Sequence, residues 1–101
     1  MKNKLEEARE IINEVDKEMI SLFIKRMAAI RMVAEYKSEN NIAIVDNKRE
    51  EVIKEKNLEL LSNKQLEKYY LVFLEGVLNS SKTYQKDFLD QRKKWLNEPY
   101  W

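Results

Sequence analysis

The sequence predicts an all-helical fold of three helices, and three observations lead to this. The 101 residues include only one glycine, Gly76, and one proline, Pro99. Small strand-rich folds need several tight turns, which depend on these two residue types. Hydrophobic residues make up 44% and charged residues 37% of the chain, which is typical of amphipathic helices. Apolar residues also recur at spacings of three and four, the repeat of one helix face.

The first predicted helix is long and runs from about Leu5 to about Glu39. Its apolar stripe is interrupted only between Leu22 and Ala29 and consists of Leu5, Ala8, Ile12, Val15, Met19, Leu22, Ala29 and Val33. The polar stretch at 38–41 ends the pattern, and residues 42–45 form a short apolar connector.

The second helix is short, from about Asp46 to Leu61, with Asp46 as its N-cap. Ser62 and Asn63 form a turn, and the third helix is long, from about Lys64 to Leu96. We expect residues 1–96 to form one domain and residues 97–101 a C-terminal tail. The expected buried positions of these two helices are Val52, Ile53, Leu60, Leu66, Tyr70, Phe73, Val77, Tyr84 and Phe88. Gly76 is expected to mark close helix packing.

The length of the first helix predicts an intertwined homodimer. At about 1.5 Å per residue it is about 50 Å long, whereas a compact domain of this size has a radius of gyration near 13 Å. Its apolar stripe nevertheless continues to the far end. A second copy of the chain is the simplest cover for that end.

Composition excludes several kinds of site. With 19 basic and 18 acidic residues, the chain gives no support for binding to nucleic acid or to an anionic membrane. It has no cysteine and no histidine, so thiolate metal sites and the usual general base near neutral pH are excluded. We expect no cofactor and no metal. The N-terminal residues lack the apolar run of a signal peptide, so we expect the cytoplasm as the location.

Charged residues interrupt the apolar stripe of the first helix. Arg26 stands four residues after Leu22 and three before Ala29, where the spacing predicts an apolar residue. Such a cation must be paired with a carboxylate or available to an anion. Lys37 lies eleven residues on, on nearly the same face, so the two could hold one small anion. Arg9 also borders the stripe, about 25 Å from Arg26 along the axis, and could reach the site only from a second chain.

Two polar groups stand out on the other helices: Asp46, Arg49 and Glu50 at the start of the second, and Ser81 with Gln85 on the third. Ser81 and Gln85 are one turn apart, and Ser81 falls where an apolar residue is expected. Taken singly, all of these residues fit structural roles, such as ion pairs, a helix cap or a bond between helices.

Taken together, the set resembles the active site of the all-helical (class II) chorismate mutases. The resemblance extends from about Leu5 to Leu89 and begins at Ala8-Arg9-Glu10-Ile11-Ile12. It continues through Arg26, Lys37, the segment Asp46-x-x-Arg49-Glu50 and Ser81-x-x-x-Gln85, each at the matching interval. None of the eight positions departs from the family pattern, but the resemblance gives no role to the residues after Leu89.

The resemblance implies a role for each of these residues. Arg9 of the partner chain, with Arg26 and Ser81, would bind the two carboxylates of chorismate. Lys37 would contact a carboxylate and the ether oxygen of the breaking bond, and Gln85 would donate to the same oxygen.

Glu50, flanked by Asp46 and Arg49, would hold the ring hydroxyl of chorismate. The residues that we expect to be catalytic are Lys37, Gln85, Arg26 and Glu50. The implied reaction is the Claisen rearrangement of chorismate to prephenate, in phenylalanine and tyrosine biosynthesis. It requires conformational and electrostatic stabilisation but no covalent intermediate.

Two alternatives remain. The same scaffold could serve an isochorismate pyruvate lyase, although the segment Asp46-x-x-Arg49-Glu50 resembles the mutase pattern more closely. The chain could also be a non-enzymatic helical dimerisation module whose charges set the register of the helices.

Overall fold

A computed structural model describes residues 1–97 and contains three α-helices. Helix α1 spans Lys4–Glu39, α2 spans Asn47–Leu60, and α3 spans Glu67–Asn97 after one 3-10 turn at Lys64–Leu66. The predicted all-helical class is thus confirmed. Asn97, assigned above to the tail, ends α3, and the rest of the predicted tail lies outside the described residues.

Polar side chains begin the helices where the sequence provides them. The side chains of Asn3 and Asp46 accept the backbone N–H groups of Glu6 and Arg49, at 2.9 and 3.0 Å. Each cap satisfies an N–H that has no partner within its own helix. Asp46 is therefore the N-cap of α2, as predicted.

A residue in the left-handed conformation follows the end of helix α1. Asn41 has a φ of 54°, a conformation that asparagine adopts more readily than most residues. The N–H of Ile42 then donates to the carbonyl of Lys37 at 2.9 Å. This arrangement is the Schellman motif, and it turns the connector back toward the last turns of α1.

The helices form a thin and elongated layer. Helix α1 packs against α3, and α2 also packs against α3. The chain measures 66 × 33 × 16 Å and has a radius of gyration of 18.4 Å, well above the value near 13 Å for a compact domain of this length. No helix within residues 1–97 is both long and apolar enough to cross a membrane.

The core lies where α1 crosses α3, and it is small. The buried apolar side chains are Ala34, Leu74 and Leu78, next to the buried polar side chains of Ser81 and Gln85. On α3 the buried positions follow spacings of four, three and four, so they form one face.

This face differs from the one that the apolar spacing predicts. Leu22 of the α1 stripe is 64% exposed, and Leu60 of α2 is 81% exposed. On α3, Phe73 and Leu66 are exposed. The remaining predicted positions of α2 and α3 are half-buried except for exposed Val52. For the exposed positions the expectation was wrong in a single chain, because periodicity identifies apolar faces without saying which of them the same chain covers.

Gly76 is likewise not a point of close packing within this chain. A Cβ at Gly76 would meet no described atom within 4 Å, apart from the backbone of its own helix. The glycine lies on the exposed side of α3.

Arg31 makes a further contact between α1 and α3. Its guanidinium lies over the Phe88 ring, 5.6 Å from the ring centre, and its Nε donates to Glu35 at 3.1 Å. The bond to Glu35, with a smaller contribution from Tyr84, raises the pKa of Arg31 above its ordinary value. Arg31 therefore adds a cation–π contact to the apolar seam.

Leu78→Ala tests the position of this core. Leu78 is 4% exposed, so its truncation should lower the free energy of unfolding by about 2–5 kcal/mol. Urea denaturation at one fixed protein concentration measures the change. Leu60→Ala is the control, with an expected loss under about 1 kcal/mol at its exposed position. Equal losses for the two variants would contradict the observed core.

Candidate active site

The first pair of polar contacts joins Arg26 of α1 to Ser81 of α3. Nη1 of Arg26 donates to Oγ of Ser81, and this hydroxyl donates in turn to the carbonyl of Val77 at 3.0 Å. Ser81 is 4% exposed. A buried hydroxyl requires hydrogen-bond partners, and Ser81 is therefore satisfied as acceptor and as donor.

The second pair joins Lys37 to Gln85, three turns further along α1 and one turn further along α3. Nζ of Lys37 donates to Oε1 of Gln85 at 3.3 Å and to the carbonyl of Ile44 at 2.9 Å. Nε2 of Gln85 donates to the carbonyl of Ser81 at 3.3 Å. The ammonium of Lys37 is thus held between α3 and the connector that follows α1.

Both cations have neutral partners. Among the residues that the structure describes, no carboxylate lies within ion-pair distance of Arg26 or Lys37. Hydrogen bonds to a hydroxyl, an amide and a carbonyl orient the cations without cancelling their charge. Two half-buried positive charges consequently face the same α1–α3 seam, which is a suitable arrangement for a small anion.

The three candidate residues of α2 have different surroundings. The Asp46 side chain caps the helix, and Arg49 is exposed. Glu50 is half-buried, and its Oε1 lies 3.0 Å from Nζ of Lys82 on α3. Of the three, Glu50 forms an ion pair with α3, the helix that carries Ser81 and Gln85.

Arg9 does not join this group within one chain. Helix α1 is continuous from Lys4 to Glu39, so Arg9 lies about 25 Å from Arg26 along the axis. Its side chain is exposed. The single chain therefore brings together Arg26, Lys37, Ser81 and Gln85, with Glu50 attached through Lys82.

Two groups that contact the site residues, the carbonyl of Ile44 and the side chain of Lys82, were not predicted from the sequence. The carbonyl of Ile44 carries no side-chain signal, because every residue has a backbone carbonyl. Lys82 directly follows Ser81 and precedes Gln85 by three residues. That position on the same helix is the signal that could have placed Lys82 near the site.

A large groove lies beside these polar contacts. Its volume is about 620 Å³, and its lining is mostly apolar, including Met19, Phe23, Phe73 and Leu74, with Arg26 among the lining residues. A smaller groove of about 300 Å³ also includes Arg26 and runs past Gly76. Lys37, Gln85 and Glu50 line neither groove, so these cavities are separate from most of the polar site.

Fold and site together define an all-helical protein with a cationic, hydrogen-bonded site between its two long helices. The family model described as chorismate mutase type II matches residues 8–86, a range that contains all eight candidate residues. The chain belongs to the chorismate mutase type II family. Comparisons with curated proteins and with solved structures give no match.

Proposed function

We propose that this chain is a chorismate mutase, which converts chorismate to prephenate in the biosynthesis of phenylalanine and tyrosine. The observation that carries the proposal is the pairing of Arg26 and Lys37 with the neutral side chains of Ser81 and Gln85. This pairing leaves two positive charges for a substrate with two carboxylates. Membership of the family supports the same reaction.

The rearrangement breaks one C–O bond and forms one C–C bond within a single molecule. It therefore needs neither a nucleophile nor a proton transfer. It does need the substrate folded so that the reacting carbons meet, and stabilisation of the negative charge that grows on the ether oxygen. Arg26, with Ser81 beside it, binds a carboxylate and fixes the fold of the substrate.

Lys37 and Gln85 act on the ether oxygen. Nε2 of Gln85 carries two hydrogens, and the Ser81 carbonyl accepts one of them. The second remains for the ether oxygen, next to the ammonium of Lys37. Because both donors are oriented by α3 and the connector, little reorganisation is required as the charge develops.

Glu50 accepts the ring hydroxyl of chorismate, and Asp46 and Arg49 shape that end of the site. A carboxylate is a strong acceptor for a hydroxyl. The half-buried position of Glu50 favours it over its two exposed neighbours for direct contact.

The active unit is a homodimer in which Arg9 of the partner subunit completes the carboxylate site. Much of the apolar stripe of α1 is exposed in the single chain, including Leu5, Val15 and Leu22. The large groove is also apolar and suits a helix better than a dianion. An antiparallel second α1 would cover this surface and bring its Arg9 toward Arg26.

A direct assay distinguishes the candidate activities. Purified protein given chorismate should form prephenate, and protein given isochorismate should release no pyruvate. Lys37→Ala should lower kcat/KM by about a hundredfold or more, as for other lost oriented donors. Lys86→Ala, a change of an exposed lysine on α3, is the control. Pyruvate alone would indicate the lyase, and no turnover by folded protein would indicate a binding module.

A mixing experiment tests the shared site. Arg9→Ala and Lys37→Ala should each be inactive, since each variant lacks one residue at both sites of its dimer. After exchange of subunits, half of the dimers are mixed, and each mixed dimer has one complete site. We expect about a quarter of the wild-type activity to return. No recovery despite proven exchange would contradict the contribution of Arg9 across the interface.

The amide of Gln85 predicts a nearly constant rate between about pH 5 and 8, because an amide does not titrate there. Gln85→Glu should instead be more active toward acid pH, since only a protonated carboxyl can donate to the ether oxygen. Initial rates across this range measure both profiles. A steep fall for the wild type between about pH 5 and 7.5 would exclude this role of Gln85.

A further inference from the structure

We propose that Lys82 is a positioning residue of the active site, which holds Glu50 and neutralises its charge when the dianionic substrate binds. The inference rests on the proposed function. Nζ of Lys82 lies 3.0 Å from Oε1 of Glu50, and the two side chains are 32% and 21% exposed. Lys82 comes from α3 and Glu50 from α2, so the pair links two helices at the edge of the site.

The charge of Glu50 creates a difficulty that Lys82 resolves. A carboxylate that accepts the ring hydroxyl shares one small site with a dianionic substrate, and like charges repel each other. The ammonium of Lys82 offsets this repulsion. Because Lys82 offsets the charge of Glu50, the positive charges of Arg26, Lys37 and the partner's Arg9 remain for the dianion.

The geometry also gives Lys82 an orienting role. Glu50 has a single described ion-pair partner, and its other oxygen is not part of that contact. Lys82 therefore holds Oε1 and leaves Oε2 for the ring hydroxyl. Lys82 lies between Ser81 and Gln85 on α3. The helix that orients Arg26 and Lys37 therefore also positions Glu50.

A second ion pair between the same helices provides a matched control. Nζ of Lys54 on α2 lies 3.6 Å from Oε2 of Glu75 on α3, and the Lys54 side chain is also 32% exposed. Among the described residues, neither Lys54 nor Glu75 has a hydrogen bond or ion pair to a candidate site residue. If Lys82 served only to attach α2 to α3, loss of either lysine should have the same effect.

The test compares Lys82→Met, Lys82→Arg and Lys54→Met in the intact chain. Lys82→Met should raise the KM for chorismate about tenfold and change kcat by less than about threefold, because Lys82 does not touch the ether oxygen. Lys82→Arg should restore most of the affinity, since it keeps the charge. Lys54→Met should leave both constants within about twofold of wild type.

A double-mutant cycle separates charge compensation from packing. In the Glu50→Gln background the carboxylate is gone, so adding Lys82→Met should change KM by less than about twofold. The KM effect of Lys82→Met alone should also shrink with added salt, which screens partly exposed charges. Urea denaturation of each variant shows whether the fold is retained.

The outcomes separate the two proposals. A wild-type protein that forms no prephenate overturns the proposed function and this inference with it. If the wild type is active but Lys82→Met behaves like Lys54→Met, the role of Lys82 alone is overturned. The same holds if the effects of Lys82→Met and Glu50→Gln on KM are additive. A specific KM effect that Lys82→Arg reverses supports it.

Discussion

The structure depends on the requirement that buried polar groups be hydrogen-bonded. Ser81 and Gln85 lie at the centre of the α1–α3 contact, and cations from α1 bond to them. These bonds fix the register of the two long helices, because each cation reaches only one turn of α3. They also determine the electrostatics: a hydroxyl and an amide orient charge but do not cancel it. The interaction that aligns the fold is thus the one that leaves the site cationic.

The same seam limits how much stability one chain has. Only three apolar side chains are buried among the described residues, within a layer 16 Å thick. A layer of this thickness is scarcely wider than one helix with its side chains, so a single chain buries little apolar surface. Under the proposed dimer, the exposed stripe of α1 becomes core and Arg9 becomes part of the site. Folding, assembly and catalysis would then use one surface.

The sequence predicted the site where a polar or charged residue stands at a position that the helical period assigns to an apolar one. Arg26 in an apolar stripe and Ser81 one turn before Gln85 each signalled a polar contact, and the structure joins Arg26 to Ser81 and Lys37 to Gln85. The sequence could not predict which apolar face of α3 the same chain buries. Helix α3 carries apolar residues on more than one side, and its own chain covers Leu74 and Leu78 but leaves Phe73 exposed. Lys82 was missed because it looks like an ordinary surface lysine until α2 is placed beside it.

The bond from Lys37 to the carbonyl of Ile44 has a consequence for how the family can vary. The acceptor belongs to the main chain, so a substitution at position 44 that preserves the backbone leaves it in place. An insertion or deletion between Asn41 and Asp46 would move it. The connector can therefore vary in residue type but is constrained in length. Related chains should differ there by substitutions and not by insertions or deletions.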